Sequence, residues 1–212
     1  DIILTPTLLS RQGLLPGAEW VQRFDQGSFR IKASGLYQAD QTAFSDADAR
    51  RDWRGAVQTD GSFSPAPDWT VGFAYAAFSD SHYFEDYQLD ARRAAVNEVY
   101  ATHLTADTYV DARLQQFNQL GSTAATRERQ GIALPNLRVE RTFKLPDGGG
   151  QVEVEGRMLG IYRERDDSAL VNGVPYDYGY AGTRLHAMGQ ASWQNQWIAG
   201  GAVITPFAGV RL

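Results

Sequence analysis

The residues with the most chemistry to offer stand in one connection, Ser79-Asp80-Ser81-His82-Tyr83-Phe84-Glu85-Asp86-Tyr87. Asp80, Glu85 and Asp86 beside His82 have the carboxylate density of a hard-cation site. The plainer reading is a polar loop that uses Tyr83, Phe84 and Tyr87 as packing anchors, and a cue made only of composition favours it. Glu153 and Glu155 resemble paired carboxylates for acid–base work. Two residues apart in a strand, however, they share one face with Arg157, which reads as charge-paired lining. His103 and His186 are isolated, no Gly-x-Ser-x-Gly elbow occurs, and no serine–histidine pair is nominated. The glycine-rich stretch Asp147 to Gly150 joins strand to strand and opens no helix, so it makes a weak phosphate cradle. Trp53, Trp69, Trp193 and Trp197 suit sugar stacking, or more simply an aromatic girdle at a membrane interface. The sequence thus nominates no catalytic residue, no metal site and no cofactor, and it contains no cysteine.

These residues must be held by strands. The clearest is the run that leads into the acidic loop, where Trp69, Val71, Phe73, Tyr75 and Ala77 fall on one face and Thr70, Gly72, Ala74 and Ala76 on the other. One face is large and apolar, the other small, and neither carries a charge. A strand with lipid on its outer side has that character.

In order along the chain, about eleven strand-like runs approach the length of a tilted membrane strand. They are Ile2–Leu8, Ala18–Phe24, Ser28–Gln38, Trp53–Gln58, Trp69–Ala77, Asn97–Leu104, Thr108–Phe117, Leu134–Phe143, Gln151–Arg163, Tyr180–Ser192 and Trp197–Val210. In the third, Phe29, Ile31, Ala33, Gly35 and Tyr37 oppose Ser28, Arg30, Lys32, Ser34 and Gln38, with Leu36 as the exception. In the seventh, Val110, Ala112 and Leu114 oppose Asp111, Arg113 and Gln115. Short turns near 25–27, 64–68, 105–107, 146–150 and 193–196 alternate with long polar connections at 39–52, 79–96, 118–131 and 164–179. Membrane barrels alternate in this way.

The fold class expected is all-β, an antiparallel up-and-down meander of about eleven strands forming part of a large transmembrane β-barrel. Residues 1–212 read as a single barrel segment with no linker between domains. The net charge of −5 and the lack of a basic stripe argue against nucleic-acid binding. The aromatic content of 12% and the 21 glycines favour strands and turns. The charge-free run from Leu185 to Val210 is long enough for a membrane helix, but Ser192, Gln194, Asn195 and Gln196 at its centre suit a hairpin. No signal peptide is present, and the odd strand count marks the segment as incomplete. Alone it would leave two hydrophobic edges open, which aggregate.

Three segments together resemble a known family. Leu4-Thr5-Pro6-Thr7-Leu8 with Arg11, Gly13 and Glu19-Trp20, the Asp68–Tyr87 strand and loop with its S-D-x-x-Y-F-x-D pattern, and Ala133-Leu134-Pro135-Asn136-Leu137-Arg138 are similar to the barrel of LptD. The loop, Asp80, Tyr83, Phe84 and Asp86, is the most specific part. The resemblance implies a large barrel of about two dozen strands on a periplasmic jelly-roll domain, of which this chain would be an N-proximal portion without that domain or the closing strands. It implies insertion of lipopolysaccharide into the outer leaflet of the Gram-negative outer membrane. The implied partners are a lipoprotein plug like LptE, the periplasmic bridge proteins and lipopolysaccharide itself, and no enzyme activity is implied.

In that family the first and last strands form a lateral gate weakened by prolines, and Pro6 sits where the second-strand proline would be. A proline has no N–H for the ladder, which suits an edge. Counting strands onward from Pro6 puts the long connections on the periplasmic side, whereas the loop-length rule puts them outside. On the polar faces, Arg30, Lys32, Arg54, Arg113 and Arg157 are the candidates to meet lipopolysaccharide phosphates or a partner. Acids share those faces, so simple lumen electrostatics is the competing account. A passive or ligand-gated porin is the alternative function. A soluble β-rich binding domain is a third, and would require the apolar faces to close on each other.

Overall fold

The computed structural model describes residues 1–90, 93–121 and 127–212. Nine long strands follow one another: β1 Ile2–Leu9, β2 Gly13–Phe24, β3 Gly27–Tyr37, β4 Trp53–Phe63, β5 Trp69–Phe78, β6 Ala94–Leu104, β7 Thr108–Gln119, β8 Ile132–Lys144 and β9 Gln151–Arg163. A hairpin of β10 Asp167–Val171 and β11 Val174–Gly179 precedes β12 Gly182–Gln194. A second hairpin, β13 Trp197–Ala199 and β14 Ala202–Ile204, precedes β15 Phe207–Arg211. Strands β1 to β9, β12 and β15 form one 11-stranded sheet in chain order, every neighbour antiparallel, with β1 and β15 as its free edges. The expected meander is therefore the observed one. Among the described residues no helix is long and apolar enough to cross a membrane.

The strands from β2 to β9 and β12 run 10 to 13 residues, enough to span a hydrocarbon core when tilted. One face of the sheet is apolar and uncovered from edge to edge. Leu8 is 83% exposed, Trp53 68%, Val99 60% and Leu185 62%. Each has an apolar neighbour or a glycine across the ladder: Leu8 faces Leu14, Trp53 faces Tyr37, Val99 faces Leu114 and Leu185 faces Gly160. In water that surface would be a severe liability; against lipid it is what the environment requires. The opposite face carries the charges apart from Arg141, which stands on the apolar side near the end of β8, opposite Val154 and over the Phe143 ring.

Several boundaries differ from the sequence expectation. β2 begins at Gly13, five residues before Ala18. The 164–179 connection is itself a hairpin, because Asn172 and Gly173 both take positive φ (52° and 80°), the two-residue turn that suits strand twist. The link near 193–196 is not a short turn followed by one strand. The chain folds there into β13–β14 around Gly200 and Gly201 (φ 58° and 81°) before β15, so the strict alternation of turn lengths ends at β12.

The small face of β5 also has a cause. A Cβ on Gly72 would lie 2.4 Å from the Tyr100 ring and 2.6 Å from the Gly61 carbonyl oxygen. Tyr100, packed under the Arg113 guanidinium at 5.1 Å, occupies the space that a larger residue on β5 would need. Gly72→Ala is expected to destabilise the folded protein by about 1–3 kcal/mol, since backbone as well as ring must shift. Urea unfolding in detergent against the parent measures it, and an unchanged midpoint would show that the strand relaxes freely.

Candidate functional site

The buried core does not lie between two layers. It forms on the charged face, where the connection after β5 folds back onto β3 and β4. Leu15, Leu36, Ala56, Ala76, Tyr83 and Phe84 form its centre, with Tyr87, Ala95 and Leu120 around them. Leu36, the one apolar residue out of pattern in β3, is 1% exposed there. It is apolar because the loop, not the lumen, covers it.

Within that loop α1, Tyr83–Asp86, is a single helical turn. Its docking point is Arg54, the second residue of β4, which sits opposite Leu36 in the ladder. Arg54 Nε donates to Asp80 Oδ2 at 2.8 Å, and Nη2 donates to Asp80 Oδ1 at 2.6 Å and to Asp86 Oδ2 at 2.8 Å. The Arg54 and Asp80 side chains are wholly buried. The guanidinium carbon lies 4.7 Å from the centroid of Phe44, 5.0 Å from Tyr87 and 5.8 Å from Tyr83. A planar, weakly hydrated cation suits such a site, where a lysine would not reproduce the fork.

Each carboxylate oxygen of Asp80 is used twice. Oδ1 also accepts from the His82 amide at 3.1 Å and Oδ2 from Ser79 Oγ at 2.7 Å. Ser79 Oγ in turn accepts from the Gly55 amide at 3.2 Å. Tyr83 and Ser34 share a hydroxyl hydrogen bond of 2.9 Å, and Gln38 Nε2 donates to the Tyr87 hydroxyl at 2.8 Å. Burial pushes the Tyr83 phenol above its ordinary range. The neighbouring connections join at the same end of the sheet. Arg11 Nη2 donates to Asp40 Oδ2 at 2.7 Å, and His82 Nε2 lies 3.6 Å from Asp46. The Thr42 hydroxyl and then Arg11 hold the Asp40 carboxyl below the usual carboxylate range.

The sequence named Arg54 and the loop residues Asp80, Tyr83, Phe84 and Asp86 separately; the structure makes them one unit. The cation held by these carboxylates is a guanidinium of the same chain. Among the described residues no cluster of three or more His, Asp or Glu is placed to hold a metal. Arg54, expected on the lumen face and open to a ligand phosphate, is on that face but covered by the loop.

The other basic candidates divide. Arg30 donates to Asp60 at 2.7 Å, and Arg113 to Asp111 at 2.8 Å and to Glu98 at 3.3 Å. Arg157 and Arg138 both contact Glu155, and Arg138 also contacts Glu140. These pairs run from β6 to β9 as a ladder of near-cancelling charge, in which Glu155 serves as the partner of Arg138 and Arg157. Lys32 alone among the five makes no ion pair with a described residue. His103 stacks on Trp69 at 4.7 Å on the apolar face.

Two roles escaped sequence reading. Pro16 in β2 faces Pro6 in β1 directly, and Arg138 joins the charged ladder. The first was findable from a register anchored on the Ser10–Gln12 turn, the second from the alternation Arg138, Glu140, Thr142.

The family model for LptD, LPS transport system D, matches residues 52–211. Comparison with curated proteins finds no match.

Proposed function

The chain belongs to the LptD family, a lipopolysaccharide transport family of the Gram-negative outer membrane, and from that premise we propose that it forms part of the wall of a barrel that delivers lipopolysaccharide to the outer leaflet through a lateral gate. The observation that carries the reading is the segregation of the sheet into an uncovered apolar face and an ion-paired polar face across all its long strands. Further strands would pair with the open edges of β1 and β15, since unpaired edges are not tolerated in hydrocarbon. The polar face would line the lumen and receive a lipoprotein plug like LptE, with periplasmic bridge proteins supplying lipopolysaccharide. The barrel would act by conduction and sorting, without covalent catalysis.

Pro6 supports the gate. Val21 N donates to Asp1 O at 2.9 Å and the Asp1 amino group donates to Val21 O at 2.8 Å, which fixes the ladder between β1 and β2. Antiparallel pairs alternate between bonded and non-bonded, so Pro6 and Pro16 form a non-bonded pair and the Pro6 nitrogen faces the free edge of β1. Any strand that closes on β1 meets a position with no donor. A weak seam is the physical requirement for a wall that must part.

The test is photocrosslinking in the full-length protein from outer membrane, with the reactive side chain at Arg113 on the polar face or at Val110 on the apolar face. Adducts with lipopolysaccharide or a lipoprotein from Arg113, and not from Val110, are the expected result. Silence at Arg113 together with steady ion conductance by the purified protein would replace transport with a diffusion pore.

A further inference from the structure

Among the described residues, Arg141 is the one Lys, Arg, Asp or Glu on the apolar face of the sheet. The alternation of β8 puts Leu137, Val139, Arg141 and Phe143 on that side, opposite Met158, Gly156, Val154 and Val152 of β9. Thr108 of β7 faces Arg141 from the other flank, and Ala191 of β12 lies beyond Val154, so no carboxylate stands in its row. On the polar face Arg30, Arg113, Arg138 and Arg157 each have a carboxylate partner. Arg141 is exposed and makes no ion pair with a described residue. Its guanidinium carbon lies 4.9 Å from the centroid of the Phe143 ring.

The depth of Arg141 in the wall follows from the strand. β8 ends at Lys144, three residues further on. At about 3.3 Å per residue and a tilt of about 45°, its Cα lies about 7 Å below the strand end. An arginine side chain covers that distance with its stem on apolar surface and its head in the polar layer. Phe143 stands nearer the strand end, so stacking on it turns the guanidinium outward. Trp193 joins Phe143 in one row through Val152, and its Nε1 donates to the Gly149 carbonyl at 2.7 Å in the adjoining turn. Aromatic side chains with a satisfied polar edge mark the interface between hydrocarbon and head groups. A cation at that level costs far less than one at the midplane.

A carboxylate stands beside it in the turn between β6 and β7. Thr142 N donates to Asp107 O at 2.8 Å, which sets Asp107 against the end of β8. Asp107 Oδ1 accepts from the Thr105 hydroxyl at 2.8 Å and from the Thr108 hydroxyl at 3.1 Å. Those two hydroxyls hold the exposed Asp107 carboxyl below the usual carboxylate range, and Arg141 adds to the effect. The two charges thus feel each other without joining. Asp107 Oδ2 has no donor among the described residues. A cation and a carboxylate held apart at an interface complement a zwitterion, whose phosphate suits the guanidinium and whose primary ammonium suits the free oxygen. A head group with a phosphate and no ammonium gains only the first contact and is repelled by Asp107. By the loop-length rule the short-turn end faces the periplasm, where the adjoining leaflet is phospholipid.

We propose that Arg141 and Asp107 hold the head group of a zwitterionic aminophospholipid against the outer wall of β7 to β9, with its acyl chains lying along Val139 and Val154. The site rests on the reading of the apolar face as lipid-facing; it depends neither on the gate nor on the passage of lipopolysaccharide.

A photocrosslinker at Val154, or at Leu114 as a mid-wall control, is placed in the full-length protein in detergent micelles doped with equal amounts of phosphatidylethanolamine and phosphatidylglycerol. Adducts at Val154 are expected to favour phosphatidylethanolamine roughly fivefold, the scale of one charge beside lipid head groups, while Leu114 shows no preference. Arg141→Gln is expected to lower the phosphatidylethanolamine adduct at Val154 by a similar factor and Arg141→Lys to retain most of it. Asp107→Asn should remove the preference and leave the phosphatidylglycerol adduct. All variants are compared at unheated gel mobility matching the parent. The same lipid ratio at Val154 as at Leu114, or no response to Arg141→Gln, would overturn the proposal and leave Arg141 reaching only to water. Displacement of phosphatidylethanolamine from Val154 by added lipopolysaccharide would overturn the phospholipid assignment and put the short turns outside. No lipid adduct at either position would overturn the lipid-facing wall along with the site.

Discussion

Arg54→Ala should cost the folded protein about 3–5 kcal/mol, because it leaves the Asp80 carboxylate buried with its counter-charge removed. Asp80 has no route to water, its side chain being fully enclosed, whereas Asp86 is 23% exposed and can rehydrate. The loss also removes packing under three aromatic rings, so part of the effect is not electrostatic. The double variant Arg54→Leu with Asp80→Asn should recover much of the cost, since neither partner is then left charged and alone. Local opening is expected to precede global unfolding. The loop 79–90 should become sensitive to protease at denaturant concentrations where the strands remain protected. Urea unfolding of the full-length protein in detergent gives the first number and limited proteolysis the second. A cost below about 1 kcal/mol would mean that the pair is solvated in the working protein and that the loop is held by its aromatics alone.

Val99→Arg and Leu114→Arg should each destabilise the barrel by about 2–4 kcal/mol, the cost of arginine on a lipid-facing position near mid-bilayer. Val99 is 60% exposed and Leu114 50%, and they face each other near the middle of β6 and β7. The neighbouring Gln115 points to the other side and donates to Glu98 at 3.0 Å. Gln115→Arg should therefore stay within about 1 kcal/mol of the parent, the scale of an exposed ion pair. Equilibrium unfolding in lipid vesicles separates the three. Equal costs at Leu114 and Gln115 would mean that both faces meet the same environment, and the barrel reading would fail. The contrast between adjacent residues controls for strand propensity, since all three variants place arginine in the middle of a strand.

These two experiments draw on different kinds of information. The lipid-facing prediction was readable from the sequence, because the two-residue period of a strand is a local steric property and needs no knowledge of distant residues. Val110, Ala112 and Leu114 against Asp111, Arg113 and Gln115 already separate the faces, and short turns between such runs set a meander. Proline is equally local. Pro6 marks a position without a ladder donor wherever the strand lies.

The Arg54 prediction was not readable in that way. Asp80 lies 26 residues from Arg54 and Tyr83 lies 49 from Ser34, and only the return of the β5–β6 connection onto the sheet brings them together. The sequence showed an acidic, aromatic loop and a lone arginine on a polar face, and had no means to join them. The same return explains Leu36, whose place on the polar face is an anomaly until a loop covers it. Likewise, Pro16 gains meaning from register, because which of its neighbours loses a hydrogen bond depends on the pairing parity set at Asp1 and Val21. By itself, then, the sequence determined the long strands from β1 to β9 and β12, their two faces and the family to which they belong, but not the β10–β11 and β13–β14 hairpins. The tertiary structure decided which charges are spent on holding a loop, which pair across strands and which ladder positions lack a donor, since those follow from contacts and pairing between segments that no local period encodes.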